Sequence, residues 1–172
     1  YKELSKYNPN VVTRIHAGNG ALLAEYAIQK RVFVPISVIP KKVINAFISA
    51  EDKAFYNHFG IDLRATLRAL ITNVKNIGTN KRLIGASTIT QQVAKNFLLT
   101  SEMSYERKIK EAILAIRIER AFTKNEILEL YLNEIYLGFK SYCVAAAALN
   151  YFDKSLDNLD FSEAAFLAAL PK

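Results

Sequence analysis

The segment from Ala112 to Ile118, AILAIRI, is apolar almost all round. A helix with this pattern is buried inside a domain rather than lying on its surface. Helical signals continue along the chain after Pro40, and Thr123 and Glu126, for example, have the spacing of a capping box. The sequence therefore predicts a mainly α fold in which residues 105–121 form a buried helix.

Seven helices are predicted after Pro40 from apolar periodicity and capping residues. They cover residues 41–56, 63–75, 88–99, 105–121, 124–137, 143–151 and 161–170. Before Pro40, Asn19-Gly20 separates two apolar runs, which is a hairpin signal, and residues 31–34 could add a strand. We predict one domain, with a β-rich segment over residues 1–40 and a helical lobe over residues 41–172.

The composition points to an anionic partner. The chain has 172 residues and a net charge of +7, which suits nucleic acid, an acidic membrane surface or a phosphorylated substrate. No helix-turn-helix or RNA-recognition pattern accompanies the charge, which argues against nucleic acid. The single Cys143 excludes an internal disulfide, and with His16 and His58 as the other soft ligands a structural zinc site is not expected.

Glu51 extends the apolar stripe of the first predicted helix. Ile44, Phe47 and Ile48 precede it by seven, four and three residues, so all four lie on one helix face. Burial there would raise the pKa of the Glu51 carboxyl, as a general acid or base working near neutral pH requires. The alternative is a glutamate at a helix end that turns into water.

A second polar group lies on the helix predicted to begin near Thr88. Thr88, Gln91, Gln92 and Lys95 are spaced to share one face, which carries amides, a hydroxyl and one cation. That set suits sugar hydroxyls next to a phosphate. The alternative is a solvated helix face, although such faces usually mix Glu with Lys, and this one has no acid.

Charged residues also open the predicted helix over residues 105–121. Arg107 and Lys108 precede Glu111 by four and three residues, which places two cations and a carboxylate on one face. Arg107 and Glu111 could form only a surface ion pair, which contributes roughly a few tenths of a kcal/mol.

Four segments in this order resemble the glycosyltransferase family 51 domain, the peptidoglycan glycosyltransferase of class A penicillin-binding proteins and monofunctional transglycosylases. The matching residues are Glu51-Asp52, Phe55, His58 and Gly60; Gly85 and Ser87-Thr88-Ile89-Thr90-Gln91-Gln92; Arg107-Lys108 with Glu111; and Ile127-Leu128-Glu129 with Tyr131-Leu132-Asn133. The resemblance covers nearly the whole chain and implies a mainly α, lysozyme-like catalytic domain.

The resemblance implies an enzyme that polymerises lipid II into β-1,4-linked glycan strands with inversion at the sugar. The donor is a growing glycan strand on a polyprenyl pyrophosphate, and the acceptor is lipid II with a free 4-hydroxyl. Glu51 is then the general base, and Glu111 is the second catalytic carboxylate, which orients cations or holds a divalent ion. The residues expected to bind substrate are Asp52, Phe55, His58, Ser87, Thr88, Gln91, Gln92, Lys95, Asn96, Arg107 and Lys108.

Further expectations follow from the same resemblance. No cofactor is required, although magnesium or manganese at Glu111 is an option, and a moenomycin-type inhibitor should bind. An N-terminal transmembrane anchor is expected upstream of Tyr1, with the domain on the outer face of the bacterial cytoplasmic membrane. The family's last motif, and an optional C-terminal transpeptidase domain, would lie beyond Lys172. Lys81, Arg82, Leu83 and Ile84 would suit the anionic membrane surface.

Two roles and two rival functions stay open at the level of sequence. His58 is interpreted as a hydrogen-bonding residue that holds its loop rather than as a proton carrier. Residues 139–143, FKSYC, depart from the glycine-containing stretch usual in the family. A lytic muramidase would share the fold but would not need the cations Lys95 and Arg107, whereas an inactive binding or scaffolding module would be expected to lose Glu51 or Glu111.

Overall fold

The computed structural model describes residues 13–18, 22–26, 33–79, 81, 84–98 and 104–171. It confirms the mainly α prediction, and each of the seven predicted helices is present. The helices are α1 (Lys41–Glu51), α2 (Leu63–Lys75), α3 (Ile89–Leu98), α4 (Tyr105–Ala121), α5 (Lys124–Glu134), α6 (Val144–Phe152) and α7 (Phe161–Ala168).

The predicted hairpin is also confirmed. Strand β1 (Thr13–His16) pairs antiparallel with β2 (Leu22–Tyr26), with an irregularity in register between Ile15 and His16. The turn residues 19 and 20 lie outside the described part of the chain, as do residues 31 and 32 of the possible third strand. Residues 33 and 34 are described and are not in a strand.

Helix α1 ends at Glu51, five residues earlier than predicted. The amide of Phe55 donates to the carbonyl of Asp52 at 3.0 Å, and a short 3-10 turn spans Phe55–Asn57. Asp62 then caps α2, whose start at residue 63 agrees with the prediction, by accepting from the amide of Ala65 at 2.9 Å. The early end of α1 leaves a loop between Asp52 and Asp62 in which functional side chains can be placed.

The chain divides into two compact units. One is the continuous segment Glu51–Leu128, and the other combines Lys2–Ala50 with Glu129–Lys172. In the second unit, the rings of Phe47 and Tyr131 meet edge to face with centroids 6.2 Å apart. The side-chain amide of Asn133 bonds both the amide and the carbonyl of Val34, at 2.8 and 2.9 Å. All the predicted site residues lie in the continuous segment.

The prediction that α4 is buried all round is wrong. Ile109 and Ile113 are 62% and 47% exposed, while the buried residues fall on one face, which carries Glu111, Ala115, Ile118 and Glu119. The helix packs against α3 on one side. The apolar composition indicated burial on every face. The buried face instead includes the carboxylates Glu111 and Glu119, whereas Ile109 and Ile113 are exposed.

Helix α2 exposes an apolar face. Its one buried residue is Ala69, and the exposed apolar side chains on α2 and just after it are Leu63, Leu67, Leu70, Ile71, Val74 and Ile77. Their spacing follows the helical period, so they form a continuous stripe. In the described part of the chain, no helix has the length and apolar character needed to cross a bilayer.

Gly60 brings the loop after α1 into close contact with α4. Its φ is +86°, and a Cβ built on it would lie 2.9 Å from the carbonyl carbon and oxygen of Ala115. Its own carbonyl accepts from the hydroxyl of Thr88 at 2.6 Å. Glycine is therefore required here both for the backbone conformation and for the approach to α4.

We expect Gly60→Ala to destabilise the chain more than Gly78→Ala. Gly78 also has a positive φ, of +83°, but has open space where a Cβ would lie. The Gly78 variant should lose about 1–2 kcal/mol because of backbone conformation alone, and the Gly60 variant should lose about 1–3 kcal/mol more through overpacking. Urea denaturation of both variants measures the difference, and equal losses would contradict the close-packing argument.

Candidate active site

Glu51 ends α1, and its carboxylate is partly buried, as the apolar stripe predicts. The side-chain amide of Gln92 donates to Oε2 at 2.6 Å. Burial raises the pKa of the Glu51 carboxyl above its ordinary value; the Gln92 hydrogen bond opposes this shift, and the charge of Asp52 adds to it. Because its pKa is raised, the carboxylate can accept a proton more readily than one in water.

Asp52 joins the loop after α1 to the start of α3. Its side chain is 3% exposed, and its two oxygens lie 3.0 and 2.9 Å from Nε2 of His58. The amide of Ile89 also donates to Asp52 Oδ2 at 3.0 Å, where the positive end of the helix dipole favours an anion. The contact agrees with the interpretation of His58 as a residue that holds its loop. His58 Nδ1 is buried and has no hydrogen-bond partner within the described ranges.

The first turn of α3 forms a capping box, at the helix start predicted near Thr88. The amide of Gln91 donates to Thr88 Oγ1 at 3.1 Å, and the amide of Thr88 donates to Gln91 Oε1 at 3.0 Å. Thr88, Gln91 and Phe55 are 2%, 6% and 0% exposed. These three side chains are placed to support the site from inside, and direct contact with a ligand, which the resemblance implies for them, stays a prediction.

The remaining part of the polar face of α3 is more open. Gln92 is partly buried beside Glu51, whereas Lys95 and Asn96 are exposed. Binding of a ligand by Gln92, Lys95 and Asn96 stays a prediction. The face is thus divided between residues that start the helix and residues that a ligand can reach.

A second carboxylate lies at the beginning of α4. Glu111 is 1% exposed, and its Oε1 accepts a hydrogen bond from Lys108 Nζ. The same ammonium donates to Ser87 Oγ at 2.8 Å. We call Ser87, Lys108 and Glu111 the Lys108 cluster. The carboxylate is buried and paired with Lys108, so the alternative of a surface pair between Arg107 and Glu111 is wrong.

Arg107 precedes Lys108 of this cluster in the sequence, and one of its polar atoms makes no hydrogen bond in the described structure. Its Nε is buried and has no hydrogen-bond partner among the described residues. No group of three or more His, Cys, Asp and Glu side chains in the described part of the chain could hold a metal ion. A divalent ion at Glu111 therefore stays a prediction, and one oxygen of that carboxylate already accepts from Lys108.

Sequence reasoning missed a buried ion pair behind the loop. Lys124 donates to Glu119 Oε1 at 2.6 Å, and the hydroxyl of Thr90 donates to the same oxygen at 2.6 Å. Glu119 follows Glu111 by eight residues, so the helical period could have placed it on the same buried face. No local signal connects Lys124 with the loop, because that contact depends on tertiary packing.

A cavity of about 730 Å³ lies between the loop after α1, the start of α2 and Ile116 of α4. Its lining is mainly apolar and includes His58, Asp62, Arg64 and Arg68. Glu51 and Glu111 are not among the lining residues.

The described site thus combines a partly buried carboxylate, a polar helix face and a buried carboxylate paired with a lysine. The chain belongs to the transglycosylase family: residues 19–172 match the family model described as Transglycosylase. This confirms the resemblance drawn from the four segments.

The relatives carry the name Penicillin-binding protein 1A. The chain is 58% identical over 172 residues to that of Rickettsia felis, 51% over 171 residues to that of Aquifex aeolicus, and 50% over 159 residues to that of Haemophilus influenzae. These alignments cover 100%, 99% and 92% of the chain, but 22%, 23% and 18% of the relatives. The chain thus spans about a fifth of the length of these relatives.

We expect Gln92→Leu to raise the pKa of Glu51 further. The amide of Gln92 stabilises the charged carboxylate, so its loss favours the protonated form and moves the titration to higher pH. The carboxyl ¹³C shift of labelled glutamate, assigned with Glu51→Gln, measures the midpoint. Asn96→Leu, one turn further along α3 and exposed, is the matched control. Equal midpoints in wild type and Gln92→Leu would contradict the assignment.

Proposed function

We propose that the chain polymerises lipid II into β-1,4-linked peptidoglycan strands. The observation that carries this proposal is the environment of Glu51. Burial raises the pKa of this carboxyl, and the side-chain amide of Gln92, on the polar face of α3, holds it in place by a hydrogen bond. A general base in this position contributes about 10²- to 10⁴-fold to a rate. Membership of the transglycosylase family supports the same reaction class.

In this reaction Glu51 takes the proton from the 4-hydroxyl of the acceptor lipid II. The acceptor oxygen forms a bond to C1 of the donor sugar while the bond from C1 to the pyrophosphate oxygen breaks. Attack from the opposite face turns the α-linked donor into a β-1,4 product. The polyprenyl pyrophosphate leaves with the electron pair, and its negative charge requires cations nearby.

The Lys108 cluster is suited to stabilising the negative charge of the departing pyrophosphate. Its ammonium is held by the hydroxyl of Ser87 and the buried carboxylate of Glu111, although the side chain stays 51% exposed. A cation already fixed in place needs little reorganisation when charge develops on the leaving group. Arg107, whose Nε has no partner in the part of the chain that the structure describes, and the exposed Lys95 would add to it. Glu111 acts in this scheme by orienting Lys108, and magnesium or manganese at Glu111 is the alternative.

The partners follow from the same proposal. The ligands are lipid II, the growing glycan strand and a moenomycin-type inhibitor. The relatives are several times longer than the chain and are named penicillin-binding proteins, which supports a transpeptidase domain in the same protein. An anchor in the cytoplasmic membrane, with the catalytic site on its outer face, would bring the site to a lipid-linked substrate.

The apolar stripe of α2 is the surface we propose to lie on that membrane. Leu63, Leu67 and Val74 are 75%, 57% and 58% exposed, and the exposed cations Arg64 and Arg68 accompany them on the same helix. An amphipathic helix with cations and large apolar side chains binds in the interfacial plane of an anionic bilayer.

Glu51→Gln should abolish polymerisation without unfolding the chain, because an uncharged isostere fits a partly buried position at least as well as a carboxylate. We expect the rate of polymer formation from labelled lipid II to fall by about 10²- to 10⁴-fold. Glu106→Gln, which changes an exposed glutamate paired with Lys110, should leave the rate unchanged. Circular dichroism of both variants checks the fold.

Muramidase digestion of the product identifies it as glycan. A Glu51→Gln variant that polymerises at nearly the wild-type rate would exclude Glu51 as the base. A wild-type chain that releases fragments from finished glycan and makes no polymer would instead support the lytic alternative, and a chain with neither activity would support the binding module.

Replacing Leu67 and Leu70 by Gln should weaken binding to vesicles of phosphatidylglycerol by at least about tenfold, since burying each leucine contributes about 1.5–3 kcal/mol. Vesicle co-sedimentation measures the partition coefficient. Leu149→Gln on α6, where Leu149 is 50% exposed, is the control. Binding that is unchanged by the double substitution would show that the α2 stripe does not contact lipid.

A further inference from the structure

The buried pair of Glu119 and Lys124 lies outside the residues assigned above to base and cations. Their side chains are 3% and 20% exposed, and the ammonium lies 2.6 Å from Glu119 Oε1. Thr90 of α3 donates to the same oxygen at 2.6 Å. Glu119 therefore accepts from both α3 and the first residue of α5, and one carboxylate on α4 ties these two helices together.

Lys124 also holds the loop after α1. Its ammonium donates to the carbonyl oxygen of His58 at 2.9 Å and lies 4.4 Å from the centroid of the Phe55 ring. An ammonium has three donors and is attracted to the face of an aromatic ring. Lys124 thus contacts both ends of the segment from Phe55 to His58 and a carboxylate of α4 at once.

The contacts of Lys124 lead to Glu51 through a short series of hydrogen bonds. Fixing the His58 carbonyl fixes the residue whose Nε2 contacts Asp52 at 2.9 and 3.0 Å. Asp52 in turn accepts from the amide of Ile89 at the start of α3. On the next turn of that helix, Gln92 donates to Glu51. Lys124 itself has no hydrogen bond to Glu51 or to the Lys108 cluster in the described structure.

Packing alone does not account for a charged pair at this place. Two apolar side chains of similar volume often stabilise a buried site as well as an ion pair does, because the charges must lose their water. An ion pair that also bonds a backbone carbonyl fixes direction, which apolar contacts do not. The pair of Glu119 and Lys124 is therefore suited to fixing the orientation of the His58 carbonyl.

We propose that Lys124 is a positioning residue for glycosyl transfer: it holds the segment from Phe55 to His58 so that His58 keeps the Asp52 carboxylate oriented beside Glu51. The inference rests on the proposed function, in which Glu51 is the base. It extends the site to a lysine that touches neither substrate nor reacting atoms.

The test variant is Lys124→Met combined with Glu119→Gln. Methionine keeps an unbranched side chain of similar length beside Phe55 but removes the donors. Glutamine keeps an acceptor for Thr90 without leaving a buried charge unpaired. We expect kcat for lipid II polymerisation to fall by about tenfold to a hundredfold, with KM changed less than about threefold, because misplacing a catalytic group affects turnover more than binding.

The matched control is Lys154→Met with Glu163→Gln. That pair has the same 2.6 Å separation but is more exposed, with side chains 40% and 16% accessible, and it lies in the other compact unit. It should leave kcat unchanged. A fall in kcat equal to that of the test variant would show that loss of any such ion pair impairs the chain, and would overturn the inference.

A second measurement does not depend on turnover. The chain has two histidines, His16 and His58, so labelled histidine gives two imidazole signals, which His16→Gln assigns. The Nε2–H signal of His58 should move or broaden in the test variant and stay in place in the control. A lowered kcat with an unmoved His58 signal, or a moved signal with unchanged kcat, would overturn the inference.

The two proposals fail in different ways. If the wild-type chain forms no glycan polymer, the proposed function fails, and the His58 signal alone decides whether Lys124 positions the loop. If the wild type polymerises and the test variant matches it in both kcat and His58 signal, the positioning role fails and the proposed function stands.

Discussion

The carboxylate of Asp52 is the contact on which the rest of the site depends. A buried charge must be surrounded by donors, and Asp52 is supplied by the imidazole of His58 and by the amide of Ile89 at the positive end of α3. These bonds fix where α3 begins relative to the end of α1. The position of Gln92, one turn into α3, and its contact with Glu51 follow from that start.

The two carboxylates that resemblance singled out meet different partners. Glu51 faces a neutral amide and is partly buried, so it keeps the capacity to take up a proton. Glu111 is fully buried, and one of its oxygens is committed to an ammonium. In the proposed reaction this difference separates proton transfer at Glu51, which α3 supports, from charge stabilisation at the Lys108 cluster of α4.

Local patterns predicted local structure well. Capping residues such as Asp62 and Thr123 placed the helix starts, because a cap bonds its own first turn. The apolar stripe of α1 likewise predicted that Glu51 is partly buried, because residues on one helix face share one environment. The end of α1 was placed too late, because the turn that ends it is stabilised by Asp52 contacts with residues far along the chain.

What could not be predicted is which buried polar groups meet. Ile113 was predicted to be core and is exposed, whereas Glu119, for which the sequence pattern carries no prediction, is buried, because only tertiary packing decides which face of α4 is covered. The partner of Glu111 was ambiguous between Arg107 and Lys108, since both spacings share a helix face. Lys124 lies 66 positions from its partner His58, a separation over which periodicity carries no information.

The division of the chain into a continuous and a split unit has a consequence for biosynthesis. A polypeptide leaves the ribosome from its N-terminus, and domains generally fold as units during synthesis. The continuous segment Glu51–Leu128 holds its own contacts, so the carboxylates and cations can assemble before α6 and α7 have been translated. The split unit must wait for those two helices, so its packing is completed later than that of the continuous segment.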